Sequence, residues 1–300
     1  MSAGARRALV GLLAVWLLPA CEIQKVVVAQ PEDVLVAEVY LRADAVVQTA
    51  FLHRTIQDQA SVDVPGARVV VTGPAGDTVH YAAAEMGVCV DAEPGSGSCY
   101  AAGDSLHPFH VRAGAQYRLS IVLADGRTLE GETVVPQDFR MLRPASSPCG
   151  LPVDSLLHVA WTPSDGAWVY VTGAEIRGLQ AAFAPLGVAV DDPFVLTGLS
   201  ISREDTTIVF PSEFGVFDRF DLPRALVLAL QEGLPDGVSA HITIGAADQN
   251  YVNWSRRGTF NPSGLVRVSS LRGDGIGVFG SLVTKSVDVQ VGREDLTACR

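Results

Sequence analysis

Three hundred residues with 48% hydrophobic, 7% aromatic and 18% charged side chains can bury a sizeable core, which excludes a disordered or collagen-like polymer and makes two compact domains the length expectation. The balance of 22 Lys and Arg against 33 Asp and Glu gives a formal charge of −11, and such a chain repels phosphate backbones, so no nucleic-acid partner is expected.

The N-terminus reads as an export signal over residues 1–20. Arg6 and Arg7 form its charged region and the apolar run Ala8 to Leu18 follows. That run is too short to span a bilayer, which takes about 20 apolar residues. It ends in Leu18-Pro19-Ala20-Cys21, which resembles the lipobox of bacterial lipoproteins, apart from Pro19 where Ala or Ser is usual. The resemblance implies that Cys21 is diacylated on sulfur, becomes the first mature residue and is N-acylated. Each buried methylene adds about 0.8 kcal/mol, so several chains, palmitate among them, anchor firmly. Glu22 after the cysteine implies sorting to the outer membrane.

Export also permits disulfides, and the four later cysteines are Cys89, Cys99, Cys149 and Cys299. They admit three pairings. Cys89 and Cys99 flank the turn-rich stretch from Asp91 to Ser98, so a local bond is natural there and Cys149 is left to Cys299. That second bond closes a long loop and would stabilise by about 4 kcal/mol in the chain-entropy account. Four free thiols are the competing reading. A metal site needs clustered ligands such as C-x-x-C, and the sequence has none.

Residues 22–30 read as a tether or a first edge strand. From Val34 the pattern is β, with Leu35, Ala37, Val39 and Leu41 alternating against Val36, Glu38, Tyr40 and Arg42. Short strands follow at Arg68 to Thr72 and Thr78 to Ala82. Tyr117, Leu119, Ile121 and Leu123 share one face of a hairpin that returns from Arg127 to Val135, with Asp125-Gly126 predicted as a type I′ turn. The Pro- and Ser-rich segment between Pro136 and Pro152 reads as an interdomain linker.

Beyond it, Leu157 to Trp161 is predicted to turn at Pro163–Gly166 into a partner strand at Trp168 to Thr172. Further strands are expected at Thr206 to Phe210, Ala240 to Gly245, Leu265 to Val268 and Ser281 to Val291. Arg224 to Glu232 has a helix's cap and stop residues, yet Leu226, Leu228 and Leu230 alternate, which favours strand. Asp248 to Arg257 reads as helix, with Tyr251 and Trp254 packing on the sheet. The expected fold is therefore all-β: two immunoglobulin-like or transthyretin-like sandwiches, over residues 21–142 and 143–300, with one or two short helices in the second.

Chemistry finds little support. Gly275 to Gly280 matches G-x-G-x-x-G, but a dinucleotide site requires a helix next, and Ser281 to Val291 reads as strand. The expected role is a glycine-rich bend where backbones approach closely, and no cofactor is predicted. Arg272-Gly273-Asp274 reads as a chance tripeptide. His107 and His110, three apart on extended chain, point to opposite faces and cannot share a metal without a bend at Pro108. Asp191-Asp192 and Glu204-Asp205 lack calcium-loop spacing and read as solvated turns. No G-x-S-x-G elbow occurs.

Three stretches together resemble the DUF4249 group of bacterial lipoproteins: the lipobox cysteine ahead of a β-domain; Pro65 to Val69 with Gly114 to Leu119 and Asp125 to Pro136, also similar to carboxypeptidase regulatory-like and transthyretin-like sandwiches; and Asn261 to Gly264 with Leu271 and Gly273 to Ser281. From Val171 to Ser239 only the strand rhythm matches, and the two disulfides are not a feature of that group. The resemblance implies a membrane-anchored envelope lipoprotein working beside a TonB-dependent outer-membrane receptor, and no catalytic residues. The expectation is a non-catalytic binding or accessory module whose ligand the sequence leaves open. It presents the Cys89–Cys99 loop or the bend near Phe279 to a glycan, peptide or receptor. The alternative is an exported hydrolase in which the fold brings His107, His110, His158 or His241 beside a buried carboxylate.

Overall fold

A computed structural model describes residues 33–55, 62–89, 96–200, 202–215, 222–255 and 268–300, and Cys21 and the predicted strand at Leu265 to Val268 lie wholly or mainly outside that set. In chain order the strands are β1 (Leu35–Arg42), β2 (Gln48–Arg54), β3 (Arg68–Thr72), β4 (Thr78–Ala84), β5 (Ser98–Ala102), β6 (Gln116–Val122), β7 (Thr128–Val134), β8 (Met141–Arg143), β9 (Cys149–Leu151), β10 (Leu157–Trp161), β11 (Val169–Arg177), β12 (Phe194–Leu199), β13 (Thr207–Phe210), β14 (Ser239–Ala247), β15 (Leu271–Gly273) and β16 (Gly275–Val291). Among the described residues three α-helices join the second half: α1 (Leu179–Phe183), α2 (Arg224–Glu232) and α3 (Gln249–Ser255). The protein is all-β, built from packed sheet layers with a few short helices.

One continuous path of hydrogen-bonded strands runs β12-β11-β14-β16-β1-β2-β5-β4-β3-β6-β7-β15, with β9 beside β16; a second sheet is β13-β10-β8. The path folds back at β4, which pairs with β5 through Ala82–Ala84 and with β3 through Thr78–Tyr81. This brings the β3-β6-β7-β15 layer over β1-β2-β5. The alternation in β1 does what its spacing requires: Leu35, Ala37, Val39 and Leu41 are fully buried, and Tyr117, Leu119, Ile121 and Leu129 join them in the core.

β16 ties the halves together. Its first part pairs parallel with β1, from Leu35↔Gly275 to Arg42↔Leu282, and its remainder pairs antiparallel with β14. Odd-numbered positions from Phe279 to Val291 face the main core, except the half-buried Lys285, while Val278 and Leu282 face α3. Burial on both faces explains a run from Gly277 to Val283 that lacks polar alternation. α3 covers that second face as the sequence suggests: Trp254 is buried and its Nε1 donates to Glu38 at 2.8 Å, and Tyr251 meets Tyr40 edge-on at 5.2 Å.

Several sequence expectations need correction. Asp125-Gly126 is not a type I′ turn, because only Gly126 has positive φ. Gly126 N–H bonds Leu123 O, and Leu123 N–H bonds Arg127 O, making a three-residue loop closed by a left-handed glycine. β10 does not pair with β11; it lies between β13 and β8, while β11 lies between β12 and β14. Pro163–Gly166 is therefore a crossing between sheets, held by Ser164 N–H on the Tyr170 hydroxyl at 2.8 Å. Arg224–Glu232 is helical: Leu226 and Leu230, one turn apart, are buried and Leu228 is exposed, so burial follows the helical period, and Gly233 ends the helix at positive φ. The stretch between Pro136 and Pro152 is not a free linker, since β8 and β9 each join a sheet, and Asp33–Arg300 cluster as one compact unit.

Candidate functional site

The outer face of the β6–β7 hairpin carries polar rows set by register. Arg118 lies opposite Glu132, Ser120 opposite Glu130, and Glu130 opposite Arg272 on β15, with Thr72 beside Arg118. Glu132 accepts from Arg118 Nε and Gln116 Nε2, both at 3.0 Å. α3 forms a wall: Asn250 Nδ2 donates to the carbonyls of Glu132 at 2.8 Å and Phe279 at 2.9 Å. Ser269 and Ser270 form the opposite wall. The Ser269 hydroxyl braces Leu271 and Gly277, and Ser270 Oγ accepts Phe279 N–H. Together these residues line a groove of about 630 Å³.

A second hollow of about 330 Å³ shares Glu132 and Asn250 with the first, so the two are contiguous. It is lined by Gln116, Val134, Gly166, Trp168 and Gln249, with Thr133 and Asp248 in its floor. Trp168 is 44% exposed, whereas Trp161 and Trp254 are buried.

Asp248 is the buried acid of this region, 5% exposed. It caps α3, with Oδ1 accepting Tyr251 N–H at 2.8 Å, and its Oδ2 accepts the Thr133 hydroxyl at 2.6 Å. Thr133 in turn meets Ser281 Oγ at 2.9 Å. Burial raises the Asp248 carboxyl above the usual range, against the hydrogen bonds that favour its ionised form. Stability from such a group is full below the unfolded value of about 4 and is lost as pH rises through the higher folded value. Asp248→Asn keeps an oxygen for the cap, so its stability relative to the parent should rise with pH above about 4; urea titrations at several pH values that gave a constant difference would refute this. Asp248→Ala, which removes the cap and leaves Thr133 only its Ser281 partner, should cost about 2 kcal/mol.

The cysteines pair as the sequence suggests. Cys89 and Cys99 are joined with Cα atoms 5.9 Å apart, and Cys149 and Cys299 with Cα atoms 5.0 Å apart. Much of the Cys89–Cys99 loop lies outside the described residues. Phe279 is fully buried in the core. The G-x-G-x-x-G stretch lies within β16, and strand continues to Val291 where a nucleotide site would need a helix. Its glycines are close-approach positions: side chains at Gly275 and Gly277 would collide with the β1 backbone, and one at Gly280 would press on Tyr251 of α3. Asp274 accepts Thr128 N–H, so the Arg-Gly-Asp tripeptide is part of the β7–β15 joint.

The histidines do not converge. His107 is exposed beside Asp104, and His110 and His158 are also exposed. His241 Nδ1 meets Asp288 at 2.7 Å on an open strand surface. Ser147 also bonds Asp288 rather than the imidazole, so no base stands between nucleophile and acid. Among the described residues, no three His, Cys, Asp or Glu side chains group to hold a metal ion. Asp192 accepts Gly178 N–H and Glu204 pairs with Arg203, both at turns.

No protein-family model matches the chain, and no curated protein matches it. Among solved structures it is similar to the fibronectin(III)-like modules of Clostridium thermocellum CbhA, at 11% identity over 88% of this chain and 95% of that one, TM-score 0.21. It is also similar to the FN1–FN3 domains of chicken CNTN1, at 10% identity over 85% and 67%, TM-score 0.20. A DUF4785 family protein from Legionella pneumophila matches at 10% identity over 69% and 51%, TM-score 0.21. The sandwich architecture stands on the strand pairing itself.

Proposed function

We propose that this chain is an exported, lipid-anchored and non-catalytic binding or accessory lipoprotein of the bacterial cell envelope, related to the DUF4249 group, held at the outer membrane by acyl chains on Cys21 and acting beside a TonB-dependent receptor. The observation that carries the reading is the disulfide pattern. The four later cysteines are consumed among themselves in two bonds, which belong to an oxidising compartment. Cys21 is thereby left over, directly behind an apolar run with two arginines before it. A rigid sandwich with a polar groove on one face supplies the binding surface.

Expression in a diderm bacterium with an alkynyl palmitate should label the wild-type protein in the envelope fraction. Cys21→Ser should remove the label and leave unprocessed precursor. An unlabelled wild-type protein, or one recovered from the cytosol with all five thiols alkylatable, would overturn the reading.

A further inference from the structure

We infer that the contiguous groove along β7 is a binding site for a neutral oligosaccharide, which rests on the reading of this chain as a binding module and names its ligand class. Charge is the first argument. The groove is lined by Arg118 and Arg272 against Glu130 and Glu132, and the adjoining hollow adds only the buried Asp248, so the lining carries at most one net negative charge within a protein of formal charge −11. A nearly balanced lining attracts neither polyanions nor polycations by long-range field, and the surrounding negative charge repels phosphorylated or carboxylated polymers.

Donor geometry is the second argument. Guanidinium, carboxylate and amide groups are planar and each offers two adjacent polar atoms, which suits the paired hydroxyls of a pyranose ring. Here they converge from β6 (Gln116, Arg118), β7 (Glu132) and β15 (Arg272), with Asn250 of α3 adding its free Oδ1 and Ser120 and the two wall serines lying nearby. Most are pre-positioned: Glu132 is held by two donors and Asn250 by two carbonyls, so little ordering remains for a ligand to impose.

The aromatic end is the third argument. Trp168 is half-exposed beside Val134, and an indole face against the apolar C–H face of a sugar buries surface at small conformational cost. From Glu130 to Val134 the strand runs about 13 Å, the reach of a short oligosaccharide rather than a single sugar.

The test uses the disulfide-bonded protein and a panel of neutral tetra- to hexasaccharides: cello-, malto-, xylo-, manno- and chito-oligosaccharides, with polygalacturonate and heparin as anionic controls. Because the other described tryptophans are buried, acrylamide quenching of fluorescence reports chiefly on Trp168. At least one neutral series should protect Trp168 and bind measurably by calorimetry, and Trp168→Ala or Arg272→Ala should weaken it about tenfold or more while leaving the melting temperature unchanged. The inference is overturned if no neutral series binds, if the anionic controls bind instead, or if the Trp168→Ala/Arg272→Ala protein binds undiminished. Palmitate labelling at Cys21 is read separately, so a lipidated protein that ignores sugars loses only this inference.

Discussion

Replacing Gly277 with alanine should lower the stability of the protein by about 3–5 kcal/mol, the size reserved for steric conflict at a fixed backbone position. Gly277 lies opposite Ala37 in the parallel β1–β16 ladder. A methyl group there would overlap the Ala37 carbonyl oxygen and stand 2.8 Å from Ala37 N, and φ is +149°, where L-residues are strained. The colliding atoms are backbone, so relief requires β1 to move away from β16. On its other side Gly277 is fixed by Ser269 Oγ and by Ser270 N–H, which holds the strand in place. β1–β16 is also the seam where the halves of the path meet, so the strain cannot be confined to a loop.

Two glycines serve as controls. Gly173 in β11 has ordinary φ, and an added methyl group would meet nothing within 4 Å, so Gly173→Ala should be neutral or stabilise by up to about 1 kcal/mol. Gly126 has equal space but φ +89°, so Gly126→Ala should cost about 1–2 kcal/mol from strain alone. Thermal unfolding followed by circular dichroism should place Gly277→Ala about 10 °C below the parent. A Gly277→Ala protein melting with Gly126→Ala would show that β1 yields easily and that the seam is soft.

The same seam marks how far the sequence can be read. Strands with one solvent face are legible, because Leu35 to Leu41 and Tyr117 to Leu123 alternate in the period the pleat demands. β16 is legible only from Ser281 on. Between Gly277 and Gly280 it is covered on both faces, by the core at Phe279 and by Trp254 at Val278, and that removes the alternation. β2 and β5 escape a reading of the sequence for a related reason: β5 is short and begins inside the disulfide loop, and its pairing with β2 is a tertiary fact.

Which strands pair is less legible still. The sequence places a turn between β10 and β11 but cannot say that the chain changes sheet there, since the deciding contacts reach distant partners such as β13 and β14. The groove is invisible in sequence for another reason. Arg118, Ser120, Glu130 and Glu132 look like any solvent face of a hairpin, and they become a groove only because Asn250, Ser269 and Arg272 arrive from more than a hundred residues away. The cysteines are the opposite case: four residues, one pair bracketing a turn-rich stretch, leave a single economical pairing.

Those two bonds should differ in weight. Cys149–Cys299 spans 150 residues and Cys89–Cys99 spans 10, and cross-linking lowers the entropy of the unfolded chain more for the longer loop. With 150 residues in its loop the long bond comes to about 5 kcal/mol, somewhat above the value of about 4 kcal/mol expected from the sequence, and the short one to about 3 kcal/mol. Native contacts favour the same order. Cys149 is fully buried in β9, which pairs with β16 at Val289–Val291, and the tail is laid along it by Gly150 N–H on Thr297 O and Cys299 N–H on Gly150 O. Without the bond, the segment around Cys299 is held to β9 by only a few hydrogen bonds, and its release exposes the edge of β9. Cys149→Ala/Cys299→Ala should therefore melt about 10–15 °C below the parent, and Cys89→Ala/Cys99→Ala by roughly half as much. Reductant should bring the parent down towards the sum of the two losses. Equal losses from the two double variants would mean that the unfolded chain is already compact enough for loop length not to matter, and a larger loss from the Cys89–Cys99 pair would mean that native packing around β5, rather than chain entropy, sets the contribution of each bond.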